Sequence, residues 1–361
     1  MKRESNFEVM RTLAMFFIVV YHCLTHGVGS KFFFNTDDVV SLTNVIVSDL
    51  LLVFGSIAVN LYVMTSGYFL SDVSFKFSRI IRTWVNACFY SFCIPLLLML
   101  ISVTPFDIMT LGKSFFPLSS NTYWYVTQYI GLLILSPFLS ILARNMAYRQ
   151  FIGLLVGGAF LCMAVIPDFP LGKHYYVAHG NSVWSFSYLF MVAAFIRNYV
   201  EKISNIILIS AICLLTIVIW ICELVGGLQN EMLHLYWLDY NGLVTILSVL
   251  VFIIFRQMQI PVSWFWNMLV RIAPYTFGVY LIHDHLMLRD RLWPAINISS
   301  LRDLWTFIPI VFAICLLIFL TCVVFDAIRK ILFSFCHVDS VIGKCDEIIM
   351  NSNLFAKLTR K

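Results

Sequence analysis

The chain has 361 residues, of which 61% are hydrophobic and only 12% are charged, and its mean hydropathy is +0.89. A soluble domain carries charge on about a quarter of its residues, so this composition excludes a water-soluble protein and indicates a polytopic membrane protein. The net charge of +5 comes from dispersed Lys and Arg without an aromatic-interleaved basic stripe, which excludes a nucleic-acid partner. The ten cysteines lie mostly in apolar runs without CxxC spacing and predict neither a disulfide framework nor a metal site.

Apolar stretches long enough to cross about 30 Å of hydrocarbon recur ten times along the chain. They lie at 8–27, 45–70, 80–102, 123–143, 150–167, 183–200, 205–225, 236–256, 270–288 and 306–328. No linker interrupts them, so we expect an all-α bundle of about ten transmembrane helices in one domain, residues 1–330, and a short cytoplasmic tail, residues 331–361. The basic start of the chain is typical of a signal peptide, but no small-residue cleavage pattern follows Cys23, and we expect a retained first helix.

The distribution of basic residues predicts the orientation of the bundle. With the N-terminus inside, eighteen of the 24 Lys and Arg residues fall in inner loops and ends, and six fall in outer loops. This positive-inside bias predicts a multi-pass protein of the plasma or inner membrane with both termini in the cytoplasm. The loop around His174 and His179 would then lie outside.

The first span carries two polar residues, Arg11 and His22, that are costly in hydrocarbon unless paired, hydrated or functional. At about 100° per residue they share one helix face, about 16 Å apart along the axis. A snorkelling arginine and a hydrogen-bonded structural histidine would explain the pair. The alternative is a polar track from the cytoplasm to a general base, since histidine titrates in the required range. Cys23 is a rival nucleophile, but it points about 100° away from His22.

Further candidates lie at the inner ends of the second and third spans. Lys76, Arg79 and Arg82 either belong to the ordinary basic fringe or bind phosphate groups, for which paired guanidiniums are well suited. Ser66 and Gly67 either permit close helix packing or bring backbone close to a cofactor.

Two other candidate groups lie at the predicted outer ends of spans four and nine. Trp124 and Gln128 are one turn apart and could hold a sugar, although aromatic belts also place Trp at this depth. In "YLIHDHL", His283 reaches a depth similar to that of His22, so the two could flank one reaction centre. A structural role for His283 is the alternative. We expect no zinc there, because His283 and His285 diverge by about 200° on a helix without a third ligand.

Several motifs carry a family resemblance. An Arg, ten residues and then a His stand on the first span, followed by "VMTSGYFL" (63–70), "RIIR" (79–82), "YWYVTQYIGLLILSP" (123–137) and "TFGVYLIH" (276–283). In this order, across most of the chain, they resemble the acyltransferase-3 family of integral membrane acyltransferases, which O-acylate extracytoplasmic glycans. The resemblance implies a ten-helix bundle, acyl-CoA (acetyl-CoA above all) from the cytoplasm, and an acceptor hydroxyl outside on a glycan or lipid-linked saccharide. It also marks the RxxR pair as a family feature.

We therefore expect a membrane O-acetyltransferase that uses no metal. His22 would take the proton of the acceptor hydroxyl or carry the acyl group as an acyl-imidazole, with Arg11 guiding the thioester and His283 nearby. Two other functions stay open. A transporter or flippase of a polysaccharide intermediate would more often show paired halves with broken helices, and an assembly scaffold would have no need of Arg11, His22 or RxxR.

Overall fold

The computed structural model describes residues 4–28, 39–120, 122–162, 182–229 and 242–351, and within these ranges it contains helices and no strand. The helices are α1 (Ser5–His22), α2 (Val39–Ser56), α3 (Ala58–Leu70), α4 (Ser78–Leu100), α5 (Ile108–Ser114), α6 (Trp124–Asn145), α7 (Tyr148–Cys162), α8 (Val183–Tyr199), α9 (Asn205–Gln229), α10 (Gly242–Gln257), α11 (Trp264–Ile272), α12 (Thr276–His283), α13 (Leu286–Ile296), α14 (Phe307–Phe335) and α15 (Val338–Met350). A π-helical turn, Cys23–Val28, continues α1, and 3₁₀ turns lie at Ala273–Tyr275 and Ile298–Leu301.

Six helical segments of the described chain are long and apolar enough to cross a membrane. They are Ser5–Val28, Val39–Leu70, Ser78–Leu100, Trp124–Asn145, Asn205–Gly226 and Phe307–Phe335; Gly242–Gln257 is apolar but shorter. The expected all-helical membrane fold is thus confirmed, while the count of ten and the orientation stay predictions. Parts of the predicted spans 150–167 and 236–256, the loop around His174 and His179, and both termini lie outside the described residues.

Two of the predicted spans are not continuous helices. The span at 45–70 breaks at Ile57, between α2 and α3. The span at 270–288 covers the end of α11, a 3₁₀ turn, α12 and the start of α13, and it is interrupted at the 3₁₀ turn and again before α13. Pro274 lies in the 3₁₀ turn and has no amide hydrogen to continue an α-helical ladder. Because of the second interruption, α12 ends at His283, and the chain changes direction beside that side chain.

Helix α1 lies at the centre of the bundle. It contacts α2, α3, α10, α11, α12 and α14. Of its most apolar stretch, 67% is buried inside the protein, against 17% for Asn205–Gly226 in α9 and 28% for α14. An apolar helix covered on all sides belongs to the interior of a bundle. Arg11 and His22 therefore sit on an interior helix.

Hydrogen bonds from side chains to backbone carbonyls hold the helices around the site. Thr12 Oγ1 donates to the carbonyl of Leu269 at 2.8 Å and ties α1 to α11. The Tyr123 hydroxyl donates to the carbonyl of Leu281 at 2.8 Å and ties the start of α6 to α12. In hydrocarbon such polar groups must be satisfied within the protein, so these bonds restrict how the helices can rotate.

The tightest helix contact involves Gly67 of α3. A β-carbon at this position would lie 2.6 Å from the backbone Cα and O of Phe190 in α8, closer than real contacts allow. Glycine is needed here because the two helix backbones touch, the arrangement that small residues permit in membrane bundles.

A buried ion pair within α14 ties this helix to α4. Arg329 of α14 donates to Asp326 at 2.7 Å and to Asn86 at 2.8 Å, and the Tyr90 hydroxyl donates to Asp326 at 2.9 Å. Arg329 is thus buried within the bundle with its charge paired.

Candidate active site

A cavity of about 400 Å³ opens between α1, α3, α4, α6 and α12. Helix α1 contributes Arg11, Met15, Ile18 and His22, which repeat at helical spacing along one face. The face that Arg11 and His22 were predicted to share is therefore the face that lines the cavity. A concave, largely apolar space with a few polar groups is the usual form of a small-molecule site.

One end of the cavity is basic. Arg79 and Arg82, three residues apart on α4, both line it. The guanidinium of Arg79 donates to the carbonyl of Ser74 at 3.1 Å. Arg82 donates to Oδ1 of Asp339 on α15 at 2.8 Å, and both of these side chains are largely exposed. Lys76 is exposed in the turn before α4 and does not line the cavity.

Arg11 lies on the cavity wall beside aromatic and hydroxyl side chains. Its Nη1 is 3.4 Å from Oε1 of Glu8, a long ion pair, and its guanidinium lies 5.7 Å from the centre of the Tyr62 ring. The Tyr62 hydroxyl donates to the Arg11 carbonyl at 2.7 Å. Further along the wall, Ser66 Oγ lies 3.0 Å from the hydroxyl of Tyr129. The charge of Arg11 is thus held in place by a long ion pair with Glu8 and by the Tyr62 ring.

His22 meets His283 across two helices. Nδ1 of His22 lies 2.9 Å from Nε2 of His283, and Nδ1 of His283 lies 2.6 Å from the carbonyl oxygen of Val279. A carbonyl can only accept, so in the neutral pair Nδ1 of His283 donates and its Nε2 accepts. Nδ1 of His22 must then be the donor, and the hydrogen-bond network assigns the free lone pair of His22 to Nε2.

The break in the helix after α12 brings further charges to this pair. Asp284 follows His283 directly, and its Oδ1 lies 3.6 Å from Nδ1 of His22. The same oxygen lies 3.4 Å from Nη1 of Arg289 on α13. On the other side, the π-helical turn after α1 places the His26 ring 5.3 Å from that of His22, centre to centre. π-Helical turns often occur at functional sites.

Aromatic residues form the wall of the cavity near His22. Trp124 and Tyr125 of α6 and Tyr280 of α12 line it together with Tyr129. Gln128 is partly buried on α6 but does not line the cavity.

Three other candidates lie off the cavity wall. His283 is fully buried and does not line the cavity, but it contacts His22, which does. His285 packs its ring against Tyr123, 5.7 Å away. Gly67 lies against α8, which supports helix packing as the reason for this glycine. The structure therefore brings six candidates to the cavity: Arg11, His22, Ser66, Arg79, Arg82 and Trp124.

Comparison with known families shows the family to which the chain belongs. A family model described as an acyltransferase domain, that of the acyltransferase-3 family, matches residues 4–327 of the 361. The chain belongs to the acyltransferase-3 family. No curated protein and no solved structure matches it. Every residue that lines the cavity falls inside the acyltransferase domain, whereas α15 with Asp339 lies beyond it.

Two residues at the site of this membrane acyltransferase were not among the candidates predicted from the sequence. Tyr280 is buried on the cavity wall, and its hydroxyl proton has no acceptor among the described residues. Its position three residues before His283, on the same helix face, is a signal that could have identified it. Asp339 could not have been found, because no sequence pattern links it to Arg82.

Proposed function

We propose that this membrane acyltransferase moves an acyl group, in its simplest form acetyl, from cytoplasmic acyl-CoA to a hydroxyl of an extracytoplasmic glycan or lipid-linked saccharide. The observation that carries the proposal is a single cavity that has the Arg79–Arg82 pair at one end and also includes His22, with its free lone pair. The enzyme would act in the plasma or inner membrane, with the donor side facing the cytoplasm.

The donor half of the site suits a long ligand with an anionic head. The guanidiniums of Arg79 and Arg82 would bind phosphate oxygens of coenzyme A. The arm that carries the thioester would follow the α1 face from Arg11 to His22, about 16 Å along the helix axis. Met15 and Ile18 lie between them and offer an apolar wall to that arm.

The chemistry at the other end follows from the lone pair on Nε2 of His22. It would take the proton from the acceptor hydroxyl while that oxygen forms a bond to the thioester carbon. The C–S bond then breaks, and the proton on His22 passes to the leaving thiolate of coenzyme A. Alternatively, Nε2 attacks the thioester carbon, the C–S bond breaks and the coenzyme A thiolate leaves. The acceptor oxygen then takes the acyl group from Nε2, and the hydroxyl proton passes to the thiolate, a route that uses the same residue.

Two further residues fit this scheme. The unpaired hydroxyl proton of Tyr280 would stabilise the negative charge that develops on the carbonyl oxygen, as donors in oxyanion holes do. His283 would act as a positioning residue, because it fixes which nitrogen of His22 is free. The Trp124 ring would offer an apolar face to the acceptor.

The test is a transfer assay with labelled acetyl-CoA, candidate glycans and the purified protein in liposomes. His22→Gln keeps a hydrogen-bonding group but has no useful base, so transfer should fall about 10²- to 10⁴-fold while acetyl-CoA still binds. The matched control is Cys23→Ala, which removes the neighbouring buried nucleophile and should retain activity. Near-normal transfer by His22→Gln, or a dead Cys23→Ala that is folded, would overturn the proposal.

A further inference from the structure

Three potential metal ligands converge beside the reaction centre. A nitrogen each from His22 and His26 and a carboxylate oxygen of Asp284 lie within 4.8 Å of one another. The two histidines are four residues apart on α1 and its π-helical continuation, the spacing that lets a helix offer two imidazoles to one ion. Asp284 comes from the distant end of α12, so no sequence spacing could have shown the third ligand.

We propose that His22, His26 and Asp284 form a binding site for a divalent transition-metal ion of the zinc class, and that the bound ion inhibits the enzyme. Two imidazoles and a carboxylate are ligands that zinc prefers, and three protein ligands leave a fourth position for water or substrate. Bonds of about 2.0–2.2 Å place tetrahedral ligand atoms roughly 3.3–3.6 Å apart. His22 Nδ1 and Asp284 Oδ1 already have this separation, 3.6 Å, and the exposed His26 can turn towards them.

Two neighbours oppose the ion and limit its affinity. Arg289 holds a positive charge 3.4 Å from the Asp284 carboxylate, and His283 competes for Nδ1 of His22. Metal binding must displace or weaken both contacts. The site is therefore reversible and weaker than a structural zinc centre, which suits an inhibitor that reaches the protein through the exposed His26.

Inhibition follows from the chemistry of imidazole and rests on the proposed role of His22 as base. If the ion binds Nε2, it takes the lone pair that would accept the proton. If the ion binds Nδ1, the proton of the neutral ring must sit on Nε2, and the lone pair is again lost. Either mode removes the base, so transfer should stop without any change in acyl-CoA binding.

The first experiment measures binding without any need for activity. The purified protein in nanodiscs is titrated with Co²⁺, whose tetrahedral nitrogen and oxygen sites give visible absorption, distinct from the charge-transfer bands of cysteine thiolates. One Co²⁺ should bind to the wild type, and His26→Gln should abolish this signal. The control is His337→Asn, which removes another exposed histidine and should leave the cobalt signal intact. Asparagine tolerates the left-handed backbone conformation at this position. A thiolate spectrum, or equal binding by His26→Gln and the wild type, would overturn the site.

The second experiment measures inhibition in the transfer assay. Zn²⁺ should reduce transfer by the wild type and by His337→Asn, whereas His26→Gln should keep its basal rate and lose at least most of the inhibition. A chelator that abolishes basal activity would show that the ion is required and would overturn the inhibitory role. Should no transfer be detected at all, the proposed function fails while the cobalt titration still decides the metal site.

Discussion

The contact between His22 and His283 makes a prediction that separates positioning from catalysis. Replacing His283 with leucine removes the acceptor for Nδ1 of His22 in a fully buried place. As the proposed base, His22 would become positively charged during transfer, so the lost hydrogen bond would be charge-assisted and contribute about 1.5–3 kcal/mol. At about 1.4 kcal/mol per tenfold change in rate, kcat should fall about 12- to 140-fold. KM for acyl-CoA should not change if the phosphates bind at Arg79 and Arg82, as proposed.

His283→Gln is the matched variant. Its amide can donate to the Val279 carbonyl and its carbonyl can accept from Nδ1 of His22, so it reproduces both bonds that the histidine makes. This variant should keep most of the wild-type kcat. His285→Gln controls for the loss of a buried histidine that does not touch His22, and it should behave as the wild type once the folded fraction is measured.

The assay is steady-state transfer from labelled acetyl-CoA, normalised to folded protein by thermal shift. If His283→Gln were as inactive as His283→Leu, the imidazole itself would be the base and the positioning role would be wrong. If His283→Leu stayed within twofold of the wild type, the hydrogen bond would have no part in the reaction.

Other predictions concern the cavity ends and the orientation. Replacing Arg79 and Arg82 together by glutamine should raise KM for acyl-CoA at least about tenfold with kcat retained. Lys76→Gln, off the cavity, should leave this KM unchanged. Equal KM values for the double variant and the wild type would reduce the pair to topology signals. Asp339→Asn frees Arg82 from an exposed ion pair and should lower that KM by at most about fivefold; a raised KM would contradict competition between carboxylate and phosphate. Tyr280→Phe should lower kcat about 10²- to 10³-fold if its hydroxyl stabilises the oxyanion, and wild-type kcat would exclude that role. A reporter fused after the last residue should be active only in the cytoplasm, and activity outside the cell would reverse the orientation.

What could be predicted from the sequence depended on helical periodicity. The shared face of Arg11 and His22 follows from eleven residues at a fixed rotation per residue, and the cavity lies along that face. The shared helix face of Arg79 and Arg82 follows in the same way from their three-residue spacing. The prediction of matching depth for His22 and His283 agreed with their contact, although the helix used to estimate that depth is broken at its 3₁₀ turn.

What could not be predicted depended on how helices meet. Gln128 carries a suitable group but does not line the cavity, because the rotation of a helix is set by its neighbours and not by its own sequence alone. Lys76 lies in the turn before α4, off the cavity. The sequence allowed two explanations for Gly67, close helix packing or backbone close to a cofactor. The backbone of Phe190 lies against it and supports packing.

By itself, the sequence determined that the chain is a helical membrane protein and which residues share a face, since composition and local periodicity depend only on neighbours along the chain. The tertiary structure alone decided that Nδ1 of His22 is bonded to His283, 261 residues away, and that Asp284 and His26 converge on the same imidazole. These contacts arise where α12 ends beside α1. Such contacts depend on packing between helices that are distant in the sequence, and no local sequence pattern predicts them.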